Sequence, residues 1–302
     1  MDWDDEVDVV CCGTGLAIHA LALAAADDGA DVLIAAGPSA VRPVSPGAAT
    51  PVLFAEVEDP ETRDYFDSLT ADVEAVDPDV ADADLTTRVV GEPRPAKAGA
   101  RIAPFYGSRL REWTGHCLAS PYGVLYTRLT ERGTTAMRTR SGEDIEIRIV
   151  GTVERRDGAS AASTVNDWLL EQLDGRVEFA DDCSLRRIVF EEELIVGVVI
   201  DTPSGPRAVR ARHGLAFSTS ARPAADVTAE SSVAEPGQPL QVGLVGYNAS
   251  RFGCVELLAP ESSASGDTSA YCRSNRVQDG VRGSGRSHAR RGRKVHRYPP
   301  FG

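Results

Sequence analysis

The chain has 302 residues, of which 42% are apolar, and a formal net charge of −13. That length supports a large core and two structural units. No run of 18 apolar residues occurs, which excludes a membrane-spanning helix. The charge is uneven. Between Arg273 and Arg297 nine basic residues accompany one acid, net +8, which leaves −21 for the remainder. An acidic body repels nucleic acid and anionic membrane surfaces.

The first six residues are acidic, opposite in character to a secretory leader, so a cytoplasmic location is expected. From Asp8 to Ala36 the sequence reads DVVCCGTGLAIHALALAAADDGADVLIAA. It divides into an apolar strand, a turn at Gly13-Thr14-Gly15, an Ala/Leu-rich helix and a second apolar strand. This is the opening βαβ unit of a dinucleotide-binding domain. Gly13 permits the sharp turn, and Gly15 lets a pyrophosphate approach backbone N–H groups at the helix start. Two positions depart from the G-x-G-x-x-G pattern. Ile18 stands where a third glycine gives close helix–strand packing, and its side chain is expected to push the two elements apart. The second strand ends Ala35-Ala36-Gly37, without the acid that would bind ribose hydroxyls.

Pro38, Pro43, Pro46 and Pro51 mark a loop. Glu61 to Ala75 reads as a helix with Pro60 at its start. An acidic connector follows from Asp77 to Asp84, and Gly91 to Gly99 reads as loop. Ser108 to Leu118 is a short helix within the aromatic-rich stretch Arg101 to Thr127. Gly133 to Arg140 and Glu143 to Val150 flank a Ser141-Gly142 hairpin turn. Ala159 to Leu173 is a further helix. Strand-like runs follow at Arg176 to Phe179, Leu185 to Phe190, Leu194 to Asp201, Arg207 to Arg212 and Gly214 to Ser218. Past Ala221 the pattern weakens, with strand-like runs at Leu240 to Tyr247 and Cys254 to Leu258. From Ser262 onward Ser, Gly and Arg dominate without apolar periodicity, and disorder is expected.

The six cysteines, at 11, 12, 117, 183, 254 and 272, show no metal-like spacing, and no residue is assigned to a metal. Cys11 and Cys12 adjoin within a strand, so they point to opposite faces and read as small buried residues. No G-x-S-x-G, H-E-x-x-H, Walker A or C-x-x-C motif is present. The best polar cluster is Arg101, Tyr106, Arg109, Arg111 and His116. Arginine can clamp a carboxylate and tyrosine can donate a proton. The competing reading packs Tyr106 and Trp113 in the core with the arginines facing solvent. His19 reads as a core or helix-surface residue, and no catalytic residue is assigned.

The order of these elements resembles the FAD-dependent oxidoreductases of the fumarate reductase/3-ketosteroid dehydrogenase group. The resemblance covers residues 1 to 222. It rests on Trp3-Asp4 to Ala36, on the Trp168-Leu169-Leu170 helix and the strand after it, and on the hairpin core Ile195-Val196-Gly197-Val198-Val199-Ile200. Ser218-Thr219-Ser220-Ala221 stands where the group has an Ala-Thr-Gly-Gly strand end. The implied fold is α/β: a Rossmann-like FAD/NAD(P)-binding domain with a parallel sheet plus a β-hairpin insertion. The implied domain spans 1–222, in halves around 1–50 and 160–222 with 51–159 inserted. Residues 223–261 would be remnant strands and 262–302 a disordered basic tail.

The implied cofactor is FAD. Gly13, Thr14 and Gly15 would meet its pyrophosphate, Leu185 would lie near the adenine, and Thr219 near the pyrophosphate or ribityl chain. A steroid- or dicarboxylate-like substrate is the class the group suggests. The capping domain and closing glycine-rich segment of the group are not visible. Two readings therefore stay open: a flavoprotein oxidoreductase, or a non-catalytic degenerate paralogue or truncated product that no longer binds FAD. A protein partner is open under either. Nucleic-acid binding by the tail is disfavoured, since its arginines alternate with glycine and serine and not with aromatic rings.

Overall fold

The computed structural model describes residues 2–37, 57–71, 73, 84–91, 107–127, 134–139, 144–154, 159–219, 239–247 and 250–260. All lie in one compact unit, Met1–Ser265. The loop at 38–56, most of 72–83, the 92–106 stretch, the Ser141-Gly142 turn and the basic tail lie outside the described residues.

The strand–turn–helix–strand reading of the first 36 residues holds. β1 (Asp5–Cys12), α1 (Leu16–Asp27) and β2 (Val32–Ala36) form in that order. β1 and β2 pair in parallel, with Val9 opposite Val32 and Cys12 opposite Ala35. Helix α1 is apolar on nearly every side, and a helix of that kind must be covered all round. It packs against β1, β2 and β10 (Gly205–Ser218), against β6 (Asp144–Glu154) and β12 (Phe252–Pro260), and along α4 (Ala161–Leu173). Ile18 is fully buried there. The expected separation of helix and strand does not occur: α1 still contacts β1, and the isoleucine fills space in the core.

The remaining elements are α2 (Pro60–Thr70), β3 (Thr87–Val90), α3 (Gly107–Ala119), β4 (Gly123–Tyr126), β5 (Thr135–Arg138), β7 (Glu178–Asp181), β8 (Ser184–Glu191), β9 (Leu194–Thr202) and β11 (Pro239–Gly246). The twelve strands make one α/β sheet of order β5-β6-β11-β12-β4-β10-β1-β2-β7. It is mixed, not parallel throughout. β10-β1-β2-β7 run parallel. The chain from β5 through β6, β11, β12 and β4 to β10 pairs antiparallel. The expected hairpin insertion is present as the antiparallel β8-β9 pair, with β9 joined to the first half of β10.

Two runs read as separate strands, Arg207 to Arg212 and Gly214 to Ser218, are one strand, β10. A bulge hides the continuity: Val7 pairs with Ala211 and Val9 with Gly214, so Asp8 alone faces Arg212 and His213. The bulge shifts the alternation of buried and exposed residues, which is how one strand came to look like two. β11 and β12 sit well inside the sheet, β12 between β11 and β4. Short β3, parallel to β12, and β4 carry only four residues each and left no periodic trace in the sequence.

Helix starts α2 and α4 are fixed by side chains. Asp59 accepts from the Thr62 N–H and hydroxyl (2.9 and 2.7 Å), and Thr62 Oγ1 in turn accepts from Ile188 N–H, docking α2 on β8. Ser160 accepts from Ser163 N–H, and Asp84 from the N–H groups of Ala161 and Ala162 at 2.9 Å. Carboxylates at helix starts are favoured by the helix dipole.

Candidate cofactor site

The expected phosphate turn lies at the C-terminal end of β1, flanked by the ends of β2 and β10. Gly13 and Gly15 have φ of 112° and 98°, a left-handed geometry that disfavours any side chain. Gly13 N–H donates to Ala35 O at 3.0 Å, which pins the turn to β2. His19 N–H donates to Gly15 O, so the intrahelical ladder of α1 begins there. Gly15 is its N-cap and supplies no side-chain hydrogen bond. The N–H groups of Leu16, Ala17 and Ile18 therefore precede the first intrahelical donor, His19 N–H. Backbone donors at the positive end of a helix form the local chemistry of an anion cradle.

Around this turn the other assigned residues are placed as follows. Thr219 is buried just past β10, at the same sheet end, because Cys12 pairs with Phe217. Its hydroxyl donates to Cys117 O (2.9 Å) and its N–H to Gly123 O, so both serve the packing of α3 and β4 on β10. Leu185 lies on β8 opposite Ile200 and packs at the edge of the core. The residue that meets the end of β2 is Cys183, two positions earlier, whose N–H donates to Ala36 O at 3.2 Å. Gly37 is pressed on that turn: a Cβ there would meet Cys183 O at 1.3 Å. Ala36 carries no acid, but its parallel neighbour is Asp181. Sequence spacing could not reveal that carboxylate, because it reaches the strand end from β7.

The polar cluster read from the sequence is not assembled as a unit among the described residues. Arg101 and Tyr106 lie outside them. Arg109 and Arg111 are exposed on α3. Trp113 is buried and donates Nε1–H to Phe252 O (2.8 Å), in keeping with a packing role. His116 stacks on Trp113 and sits 3.8 Å from Glu256 Oε1. Glu256 is fully buried and held by both arms of Arg88. Burial pushes the His116 pKa down, the Glu256 carboxylate pulls it up and the Arg88 guanidinium lowers it again. His19 bonds Asn166 through Nδ1 (3.1 Å) and joins α1 to α4. Cys11 and Cys12 are buried as expected, and burial pushes the Cys11 thiol up to about 12.

A groove of about 340 Å³ opens between the end of β7 and the β9–β10 turn, lined by Asp4, Asp181, Cys183, Thr202, Ser204 and Arg207 among others. It shares Asp181 and Cys183 with the surroundings of the β2 end, and its lining does not include Gly13, Thr14 or Gly15. Among the described residues no helix is long and apolar enough to cross a membrane.

No protein-family model and no curated protein sequence matches the chain. Solved structures show distant similarity. The 3-ketosteroid-Δ4-(5α)-dehydrogenase from Rhodococcus jostii RHA1 is 20% identical over 71% of this chain and 46% of its own, with a TM-score of 0.31. A flavocytochrome c3 fumarate reductase is 15% identical over 69% and 33%, TM-score 0.32. A probable FAD-dependent monooxygenase from Pseudomonas aeruginosa is 16% identical over 69% and 41%, TM-score 0.25. The chain spans less than half the length of each of these structures. Likeness at this level speaks to no activity.

Proposed function

We propose that this chain is an FAD-binding, oxidoreductase-like flavoprotein whose Gly13-Thr14-Gly15 turn receives the cofactor's pyrophosphate. The observation that carries the reading is the pair of positive-φ glycines at the C-terminal end of β1, feeding an α1 start with no side-chain cap. The N–H groups of Leu16, Ala17 and Ile18 fit an anion, and a glycine at the helix start puts no side chain in its way. When bound, a flavin supplies hydride or electron transfer, and the protein's part is to bind and orient. Substrate class stays with the steroid- or dicarboxylate-like expectation.

The second reading, a non-catalytic relic of the same architecture, draws on three observations. Ala36 supplies no ribose acceptor, the Thr219 hydroxyl is engaged by Cys117 O, and the Cys183 turn abuts Gly37. Titration of FAD into the full chain, read by calorimetry and by the absorption spectrum, separates the two. Binding by the wild type that Gly15→Val abolishes supports the flavoprotein. Ala36→Glu alone would set a second carboxylate beside Asp181, and like charges so paired repel. The informative variant is therefore Ala36→Glu with Asp181→Asn, expected to bind FAD about 10- to 100-fold tighter, one charged hydrogen bond's worth. No binding by the wild type or this double variant, with both folded, selects the relic.

A further inference from the structure

Three donor atoms of different chemistry converge between α3 and β12. His116, Cys254 and Glu256 each bring one ligand atom to within 4.8 Å of the other two, with His116 Nε2 3.8 Å from Glu256 Oε1. For three atoms so spaced, some point is no farther than about 2.8 Å from each, and zinc bonds to N, S and O run at about 2.0–2.3 Å. Side-chain shifts of about half an ångström close that gap. Cys254 is 2% exposed and Glu256 0%, so two of the three donors are locked in the core. His116 Nε2 is itself buried and has no hydrogen-bond partner. Native interiors rarely leave such an atom orphaned, and a ligand is one of the standard reasons.

We propose that His116, Cys254 and Glu256 form a zinc site that ties α3 to β12. One imidazole nitrogen, one thiolate and one carboxylate form a borderline-soft donor set, suited to zinc and not to calcium or magnesium, which take oxygen. The surrounding contacts orient the donors. Arg88 fixes the Glu256 carboxylate, its Nη2 2.7 Å from Oε1. Trp113 stacks on the His116 ring, with centroids 5.3 Å apart and planes at 26°. The Cys254 thiol donates to Ser120 Oγ at 3.3 Å. On metal binding the S–H bond breaks, its proton leaves to solvent and the sulfur lone pair bonds the ion. The Ser120 hydroxyl can then reverse and donate to the thiolate, the role outer partners play at metal sites. Arg88 opposes the ion by charge and assists it by holding the carboxylate. Three protein ligands leave a fourth position for water. His116 has 37% of its side chain exposed, which gives the ion a way in.

The test uses the full chain, stripped of metal by a chelator, titrated with Co²⁺ and then with Zn²⁺. One Co²⁺ per chain is expected, with a thiolate-to-cobalt charge-transfer band that one equivalent of Zn²⁺ bleaches. Cys254→Ser should abolish the band. His116→Gln should weaken Zn²⁺ binding by more than the 10–100-fold that follows loss of an outer partner. Cys183→Ser, in the turn between β7 and β8, should leave both unchanged. Absence of a thiolate band in the wild type overturns the site, as does a band that survives Cys254→Ser. Should Cys254→Ser not fold by circular dichroism, the partly exposed His116 decides: a band and affinity in His116→Gln equal to wild type overturn the proposal. The site is independent of the flavin reading, so either can fail alone.

Discussion

Asp8 shows how one residue sets the junction of two strands. It faces the bulge in β10 and receives Arg212 Nε (2.8 Å) and the backbone N–H of Asp31 (2.9 Å), with His213 Nε2 at 3.2 Å. The Arg212 hydrogen bond comes first in holding its pKa below the usual carboxylate range, the Asp31 N–H second, against the opposing pull of burial. The folded pKa lies below the unfolded one. Its stabilisation is therefore present above about pH 4 and lost as pH falls through the folded value. Asp5, held low by Arg207, acts in the same direction. Asp8→Asn is expected to cost up to about 1 kcal/mol at neutral pH and to flatten the loss of stability below about pH 4. Urea denaturation of both proteins across pH 3 to 7 checks this; stability curves that stay parallel would contradict it. None of this was legible in the sequence, because Asp8 and Arg212 meet only through the register of β1 on β10.

Among elements, β3 depends on a buried ion pair. Arg88 on β3 grips Glu256 on the parallel neighbour β12, and Glu256 is fully buried while Arg88 is 19% exposed. Removing one partner of such a pair leaves an uncompensated buried charge, at a cost of about 3–5 kcal/mol. Arg88→Leu should destabilise by that amount, and Arg88→Leu with Glu256→Leu by clearly less, in urea denaturation with chelator present. Equal losses for the single and double variants would show that the pairing is not the cause. The contrast with α2 and α4 is instructive. Pro60 after Asp59 marks the start of α2 in the sequence itself, and Ser160 the start of α4. Caps are local signals within one turn of chain, whereas Asp84, which also caps α4, comes from a distant segment.

At the scale of the molecule, the antiparallel half depends on the last two described strands. β11 pairs with β6 over eight positions, and β12 closes onto both β11 and β4. Leu240, Val242, Val245, Phe252, Val255, Leu257 and Leu258 from these strands are buried in the main core. A chain ending at residue 222 would leave β4 and β6 with open edges and would expose the side chains those seven cover. It is expected to lose cooperative thermal unfolding, while a chain ending at residue 260 keeps every described strand and should unfold in a single transition. Calorimetry of both truncations checks this. A cooperative transition in the 222-residue chain would mean that the parallel half folds by itself.

What the sequence determined by itself was local. The apolar runs flanking Gly13-Thr14-Gly15 specify strand, turn and helix, since strand burial, glycine's access to positive φ and an all-apolar helix are written in adjacent residues. The helices α2, α3 and α4 and the strands β6, β8 and β9 were legible for the same reason. The tertiary structure decided which ends meet. It set Asp181 beside Ala36, gave the Thr219 hydroxyl to Cys117 O, joined two runs into β10 through a bulge, and drew His116, Cys254 and Glu256 together. Those pairings depend on strand order and register, and register is fixed by burial of the whole sheet face, which no short window of sequence contains.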